Sequence, residues 1–456
     1  MKQIKYIAAY VCIALCIWGC GTHSSYQRSV DSEVTDNLYK YIETTNDTTN
    51  IASLSWRELF TDPRLQSLIE TALERNTDLN VARLNVEQAE ASLSAARKAF
   101  LPSLSLEPQG SISSFNSSTT KSYNVSLTSS WEIDLFGKLR NAKKQSISML
   151  EQSVAYQQAV RTSLIASVAG SYYSLLMLDE QLKISEQTKE NWENNLRVME
   201  AMKRAGRINE TAVLQSEASS IALNSSIVTI KEQIAALENS ISLLLAAPTE
   251  HIERGSIDQY SFPSELSVGV PLQLLSNRPD VRMAEGYLAQ MFYATAEARS
   301  SFYPTFTLSG SAGYTNSSGV IINPGDMLYN LVASAVQPIF NRGTLKAQLE
   351  ISKAQQEQAL LQFNQAILDA GAEVNDALSQ WQSAQARLEF GAMQIEILEK
   401  TVSQTELLME HGSVTTLDVL TAQLSLLQSQ LSYSTEKYNQ SQGVINLFRS
   451  LGGGEI

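Results

Sequence analysis

Residues able to carry out chemistry are few and scattered in this sequence. Its 456 residues include three histidines, His23, His251 and His411, and three cysteines within the first twenty positions. A zinc site draws several Cys, His or carboxylate ligands together, commonly with short spacings between them, and the histidines are far apart. The sequence also lacks a Walker loop, a G-x-S-x-G elbow and an H-E-x-x-H helix. We therefore predict no enzyme activity, no metal site and no cofactor.

The amino terminus predicts the compartment. Lys2 and Lys5 precede an apolar run over residues 7–18, which leads to Gly19 and Cys20. A basic start, a short apolar stretch and a small residue before the cut describe a secretory signal. The run is too short to span a bilayer comfortably, since about 20 apolar residues are needed. Its Ile-Trp-Gly-Cys end resembles a bacterial lipobox, in which the cysteine is lipidated.

This pattern predicts a signal peptide over residues 1–19 and an extended tether over residues 20–55, lipidated at Cys20. The alternative is ordinary signal cleavage with Cys20 merely nearby. In either case Cys12 and Cys16 leave with the signal, so no thiol pair remains to form a disulfide.

Composition excludes further classes of protein. The net charge is −13, and charged residues make up 18% of the chain, below the roughly 25% of average soluble proteins. A nucleic-acid binder usually shows a basic stripe, so this balance argues against one. With 21 Gly and 10 Pro, the chain favours long uninterrupted helices over a loop-rich sandwich.

The chain repeats itself. Arg-Lys-Ala-Phe-Leu-Pro at 97–102 returns as Arg-Ser-Ser-Phe-Tyr-Pro at 299–304, and Gly206 corresponds to Gly412. A repeat this long indicates two similar halves rather than a short-period solenoid.

We predict the first repeat over residues 56–246, a linker rich in Pro and Gly over 247–271, and the second repeat over 272–456. Each repeat should hold a helix, a strand pair and a longer helical region, with the β-hairpins at about 103–136 and 305–340.

Hydrophobic periodicity supports these elements. Apolar and polar residues alternate over 123–135, which is typical of a strand with one apolar face. Its partner over 104–115 is weaker because Pro and Gly interrupt it. The polar stretches 116–122 and 315–329 are predicted to be the hairpin tips.

Two spans without proline, 137–205 and 344–411, are each long enough for a helix of about 100 Å. Single globular helices are much shorter, so these helices should pack side by side as coiled coils.

Four strands of this length suit a tilted transmembrane barrel. A barrel needs about eight strands to close, and open edges in lipid cost several kcal/mol per unpaired amide. One chain should therefore share a barrel with copies of itself. The alternative is a small soluble sheet beside a helical bundle.

Three segments carry a resemblance to a known family: WRELFTDPRL at 56–65, WEIDLFGKLR at 131–140 and RPDV at 278–281. Together they resemble outer-membrane factors of the TolC type, in particular the lipoprotein branch serving efflux pumps of the resistance-nodulation-division (RND) class.

The resemblance implies a mainly α fold with a transmembrane β-barrel, in which a homotrimer forms 12 strands above a helical periplasmic tunnel. It also implies a passive channel that works with a periplasmic adaptor protein and an inner-membrane RND-type transporter. Loss of Lys2 and Lys5 takes the net charge from −13 to −15, which predicts a tunnel lining that favours cations.

Three residues are candidates for function. Gly206 and Gly412 interrupt long helical runs, and the resemblance places them at periplasmic tips that contact the adaptor; both also suit an ordinary helix end, where glycine adopts positive φ. Asp418 matches a position at which the family narrows its entrance. Thr415 and Asp418 also have the spacing of a capping box, so both interpretations of Asp418 stay open.

Other functions compete with the channel. The interpretation as a structural coiled coil or an adhesin explains the helices, but it does not explain the duplicated amphipathic hairpins. Within the channel class, the alternative is an exit duct for type I protein secretion or heavy-metal efflux.

Overall fold

A computed structural model describes residues 25–27, 55–116, 118–259, 278–315 and 327–453. The predicted signal peptide, Cys20, His23 and nearly all of the predicted tether lie outside the described residues. The fold is mainly helical, with one four-stranded antiparallel sheet. The predicted fold class is therefore confirmed.

The described part of the chain holds eight α-helices and four strands. In chain order they are α1 Trp56–Leu59, α2 Pro63–Arg75, α3 Thr77–Lys98, β1 Ser103–Phe115, β2 Ser118–Ile133, α4 Lys138–Arg204, α5 Glu210–Leu244, α6 Pro279–Ser300, β3 Thr305–Thr315, β4 Met327–Val336, α7 Thr344–Glu410 and α8 Thr416–Ser450.

The repeat in the sequence is also a repeat of elements. Helices α3 and α6 each have 22 residues, and their first residues lie 202 positions apart. Helices α4 and α7 each have 67 residues and begin 206 positions apart. Helices α5 and α8 each have 35 residues at the same offset of 206.

The sheet has the order β1-β2-β3-β4, so the two hairpins join through β2 and β3. Strand β1 pairs with β2 from Ser103 opposite Ser130 to Phe115 opposite Ser118. It passes through Pro108 without a break, because a proline on an edge strand can turn its missing N–H away from the ladder.

The predicted hairpin tips were too long. Residues 118–122 belong to β2 and pair with residues 111–115 of β1, so only residues 116–117 separate the strands. In the second hairpin, Met327 already pairs with Tyr314. Polarity misled the prediction, because hydroxyl side chains on both faces of a strand leave the backbone ladder intact.

A break at Asn76 separates α2 from α3, although apolar spacing runs through it. The side-chain NH2 group of Asn76 donates to the Leu244 carbonyl at 3.0 Å, and its side-chain oxygen accepts from the backbone N–H of Leu79 at 3.1 Å. Asn76 therefore ends one helix, starts the next and fixes both to the end of α5.

The chain divides into two compact units that differ from the two repeats. The first contains the sheet with the helical residues 84–98, 138–155, 282–300 and 344–366. The second contains the remaining helices, and its core is built from large side chains that include Phe60, Leu65, Tyr172 and Phe448. Leu65, Ile69 and Ala72 of α2 recur at helical spacing and are fully buried in that unit.

No helix in the described ranges is both long and apolar enough to cross a membrane.

Candidate functional site

One face of the sheet is lined with hydroxyl groups. The register places Ser105 opposite Thr128, Thr128 opposite Ser311, and Ser311 opposite Asn330, which makes one polar row across all four strands. This row and its neighbours line a cavity of about 340 Å³. A surface of this kind can form hydrogen bonds with water or polar solutes along its whole width.

Two carboxylates lie on this hydroxyl face, and their surroundings differ. Glu132 forms an ion pair with Lys138 at 3.1 Å. Glu107 accepts a hydrogen bond from the Thr128 hydroxyl at 3.1 Å, and no ion pair links it to another described residue. Glu107 is therefore the carboxylate of this face whose charge is left uncompensated. Glu107 was not predicted from the sequence, because Pro108 and Gly110 interrupt the alternation of apolar and polar residues in β1.

The opposite face of the sheet is apolar. Leu106 pairs with Leu127, Leu127 with Ala312, and Ala312 with Tyr329. Leu106, Leu127 and Tyr329 are exposed in the single chain, with Leu106 at 66% and Tyr329 at 85%. An apolar face of this width is suited to contact with lipid.

The sheet carries the aromatic residues Tyr123, Trp131 and Tyr314, a type that transmembrane barrels place in girdles at the membrane interfaces. The indole N–H of Trp131 donates to the Phe100 carbonyl at 2.9 Å. Trp131 therefore ties β2 to the chain just after α3. Tyr314 is half exposed on the apolar face, where a girdle residue would lie.

Gly206 and Gly412 end the two longest helices in the same way. Their φ angles are +72° and +73°. Beyond each glycine, the next amide reaches back to the helix: Arg207 N–H donates to Met202 and Ser413 N–H donates to Leu408, both at 2.9 Å. These bonds close the last helical turn in the manner of a Schellman motif, and a new helix begins four residues later in each repeat.

Replacing either turn glycine by alanine should destabilise its turn by about 1 kcal/mol, because an L side chain is strained at this φ. Apart from the adjacent residues, no described atom lies within 4 Å of the place that the alanine methyl would take at either glycine, so the cost is backbone strain alone. Hydrogen exchange of the turn amides should accelerate in Gly206→Ala and in Gly412→Ala. Asparagine tolerates this conformation better, so Gly206→Asn is the matched control; an equal acceleration there would contradict the strain argument.

Asp418 lies in the first turn of α8, in a complete capping box with Thr415. Its carboxylate accepts from the Thr415 hydroxyl at 2.6 Å and from the Thr415 amide at 2.8 Å. These two hydrogen bonds hold the pKa of Asp418 below its ordinary value, and the bond from the Thr415 hydroxyl has the larger effect. In the first repeat, Asn209 caps α5 by accepting from the Ala212 amide, so the capping role is kept without an acid.

Acid should loosen the start of α8. A carboxyl whose pKa is lowered in the folded protein stabilises it above the unfolded pKa, and that contribution is lost as the pH falls through the folded pKa. Hydrogen exchange in the first turn of α8 should therefore accelerate, relative to the intrinsic rate, as the pH is lowered below the ordinary range for aspartate. Asp418→Ala should show the faster exchange at neutral pH, and Asp418→Asn, which keeps a side-chain oxygen, should lie between. A first turn that responds to neither substitution would contradict the capping role.

Two arginines, Arg254 and the buried Arg278, organise the second unit. Arg254 forms ion pairs with Asp179 and Glu238, while His251 contacts the same Glu238 at 2.9 Å. Burial alone would lower the pKa of Arg254, but its hydrogen bonds to these two carboxylates raise it. The result is a fixed segment after α5 rather than a reactive site. Within the part of the chain that the structure describes, no three His, Cys, Asp or Glu side chains are placed to hold a metal ion.

The second of these arginines, Arg278, lies just before α6 and contacts three other groups. Its guanidinium contacts Asp280 at 2.6 Å and Glu373 at 2.8 Å, and it donates to the Ser450 carbonyl at 2.6 Å. Burial would lower the pKa of Arg278, and the carboxylates outweigh this and raise it. One side chain thus joins the start of α6, the middle of α7 and the end of α8.

The family model described as outer membrane efflux protein matches residues 68–247 and 270–453. The chain belongs to this family. Its members are efflux channels and not enzymes, and this chain is an outer-membrane channel of an efflux system, as its sequence predicted.

Similar proteins align with most of this chain. Cation efflux system protein CusC of Escherichia coli is 29% identical over 97% of this chain and 98% of its own. The probable outer membrane lipoprotein SilC of Salmonella typhimurium is 30% identical over 88% of each chain. The pyoverdine export outer membrane protein OpmQ of Pseudomonas putida is 29% identical over 88% of each chain.

A solved structure shows the same fold. The crystal structure of CusC superimposes with a TM-score of 0.82 at 28% identity, covering 94% of this chain and 99% of that one. Sequence and fold therefore agree on the identification as an outer-membrane factor.

Proposed function

We propose that three copies of this efflux channel assemble into one conduit, which passively carries substrates delivered by an inner-membrane RND-type transporter through a periplasmic adaptor protein. The observation that carries the proposal is the sheet. Strands β1 and β4 are its two edges, one of its faces is apolar, and the other is lined with hydroxyl groups and carboxylates.

A sheet with these properties is incomplete alone. Four strands cannot close on themselves, since small barrels need about eight, and an unpaired edge in lipid leaves amides that cost several kcal/mol each. Three copies supply twelve strands and remove every edge. Closure also gives both faces an environment, because the apolar face then meets lipid and the hydroxyl face surrounds the solute path.

The proposal includes three further assignments, which rest on the family resemblance and on the amino-terminal sequence. The paired turns at Gly206 and Gly412 form the tips that contact the adaptor. Asp418, six residues beyond Gly412 and exposed, contributes to a constriction of the pore. Cys20 carries the lipid, in keeping with the name of SilC, which calls that relative a lipoprotein.

Substrate choice lies outside this chain. Relatives named for cation efflux and for pyoverdine export are both 29% identical to it, so overall similarity does not follow the transported compound. The inner-membrane transporter is the component that selects. Heavy-metal efflux is the second candidate, on a difference in coverage rather than identity: CusC, whose name states cation efflux, aligns with 97% of this chain, and OpmQ aligns with 88%.

Planar-bilayer recording tests the proposal directly. The purified protein should have the mass of a trimer by native mass spectrometry and should conduct ions without added nucleotide. A monomer without conductance would overturn it. Recording Asp418→Asn and Asp418→Ala then separates the two roles of Asp418: a charge in the pore makes both variants less cation-selective, whereas a cap alone leaves the selectivity of both unchanged.

Deleting the gene identifies the substrates. Sensitivity confined to heavy-metal salts would favour the heavy-metal candidate, whereas sensitivity to drugs and bile salts would favour a drug-efflux system. Co-purification of the adaptor would identify the transporter.

A further inference from the structure

We infer the residue register of the seam between copies: β4 of one chain pairs antiparallel with β1 of the next, with Leu331 opposite Ile112 of the partner subunit. This inference rests on the proposed trimer, and it specifies which residues meet. The internal repeat supplies the template, because β2 and β3 already form the equivalent seam between two repeats inside one chain.

The intrachain seam has a single register. Asn124 lies opposite Thr315, Val125 opposite Tyr314, and the pairing continues without a bulge to Ile133 opposite Phe306. The seam between copies joins the last strand of the second repeat to the first strand of the first repeat. Its register therefore follows once each strand is matched to its counterpart.

The first match is β1 with β3. Ser103 begins β1 and Thr305 begins β3, 202 positions later. The preceding helices agree, since Thr77–Lys98 and Pro279–Ser300 are displaced by the same 202 positions at both ends.

The second match is β2 with β4. Ser103 pairs with Ser130, and its counterpart Thr305 pairs with Val336, so Ser130 corresponds to Val336, at an offset of 206. The turn glycines that follow agree, because Gly137 and Gly343 have the same offset and φ angles of +81° and +79°.

Transferring the template gives the seam. Val125 corresponds to Leu331 and Tyr314 corresponds to Ile112, so Leu331 meets Ile112 of the partner subunit. One position along, Asn124 and Thr315 become Asn330 and Ser113 of the partner subunit.

Features not used in the transfer agree with this register. Leu331 and Ile112 both lie on the apolar face, and Asn330 and Ser113 both lie on the hydroxyl face, whereas a slip of one residue would invert every side chain of one strand. Leu331 and Ile112 are also 75% and 74% exposed in the single chain.

The chain beyond β4 supports the same seam. Ile133, the last residue of β2, corresponds to Ile339, which is 98% exposed. In the assembly, Ile339 lies opposite Leu104 of the partner subunit, so residues 337–339 extend β4 by three residues.

Cysteine cross-linking tests the register. The native cysteines all lie within the first 20 positions, so introduced thiols are distinct from them. We expect Leu331→Cys/Ile112→Cys or Asn330→Cys/Ser113→Cys to form covalent trimers on mild oxidation. Both pairs are needed because adjacent antiparallel pairs alternate between narrow and wide spacing, and a disulfide needs Cβ atoms about 3.5 to 4.5 Å apart.

The matched control is Leu331→Cys/Ser114→Cys, which lies on the same face two residues out of register. Diagonal partners are about 7 to 8 Å apart, too far for a disulfide, so this pair should stay reduced. Val125→Cys/Tyr314→Cys, at the equivalent intrachain seam, reports on oxidation through loss of free thiol.

The outcomes are distinguishable. More cross-linking in the offset pair than in either predicted pair would overturn the register. So would a conducting trimer in which neither predicted pair cross-links while the intrachain control oxidises; in that case the proposed channel would stand. A wild-type protein that is monomeric and does not conduct would instead overturn the proposed function and the seam together.

Discussion

Arg278→Ala should lower the free energy of unfolding by about 2 to 4 kcal/mol, the range for removing one partner of a buried ionic network. The Arg278 side chain is 5% exposed and holds two carboxylates, Asp280 and Glu373, each about half exposed. Its loss leaves a cavity at the start of α6. It also takes away the donor that the structure gives the buried carbonyl of Ser450.

The exposed carboxylates set the upper limit of this effect. Asp280 and Glu373 can be hydrated once the guanidinium is gone, so the full cost of a buried unpaired charge is not reached. Arg278→Lys should lie between wild type and alanine, because one ammonium group cannot reproduce the planar fork that reaches three acceptors.

Urea denaturation followed by circular dichroism measures the change. The matched control is Arg57→Ala, which removes an arginine that also forms an ion pair, with Glu70 at 2.8 Å, but whose side chain is 56% exposed. Exposed pairs contribute about 0 to 1 kcal/mol. Equal losses in the two alanine variants would contradict the role assigned to burial.

Glu107→Gln should reduce the preference of the channel for cations, by about two- to fivefold in the potassium-to-chloride permeability ratio at 10 mM salt. Three copies bring three such carboxylates to the proposed pore, and no ion pair with a described residue neutralises them. The estimate combines Coulomb energies of a few tenths of a kcal/mol per charge at about 10 Å in water with a Debye length of about 30 Å at this salt concentration.

Salt dependence identifies the mechanism. At 1 M salt the Debye length falls to about 3 Å, so wild type and Glu107→Gln should become indistinguishable. Reversal potentials in a salt gradient give the ratio, and unchanged single-channel conductance at 1 M salt shows that the pore is intact.

Two controls use neighbouring positions. Lys121 pairs with Ile112 on the opposite face, so Lys121→Gln should leave the ratio unchanged. Gln109→Glu adds a carboxylate two residues from Glu107 on its own face and should raise the ratio. If Glu107→Gln and Lys121→Gln behave alike, the face assignment is wrong.

The sequence predicted the helices well and the hairpin tips poorly, and the two results have one cause. Helices α4 and α7 are fixed by local information, since a long span without proline and with small, polar and apolar residues at helical spacing leaves few alternatives. A strand is fixed by its partner. Residues 118–122 show no clear alternation of their own, and they become strand because residues 111–115 lie opposite them.

The same distinction applies to the candidate functional residues, some of which follow from local sequence signals and others from partners distant in sequence. Gly206 and Gly412 could be found because an interrupted helix and a repeated glycine are local signals. Arg254 could not, because Asp179 and Glu238 lie on two other segments of the chain and no spacing connects the three. Glu107 lies between these cases. The alternation of polarity that places it on the hydroxyl face is visible in the sequence of β1, but its lack of an ion pair with the described residues depends on the other strands.

Equal helix lengths in the two repeats have a consequence for how such a chain can evolve. Helix α4 has the same number of residues as α7, and α5 has the same number as α8. An insertion in one of these four helices would shift the turn at its end. That turn would no longer lie level with the turn of the other repeat, and the next helix would be displaced as well. Length changes are therefore tolerated only as coordinated sets, in which all four helices gain or lose whole turns together. In the proposed channel, the paired helix lengths therefore set the length of the conduit, whatever compound it carries.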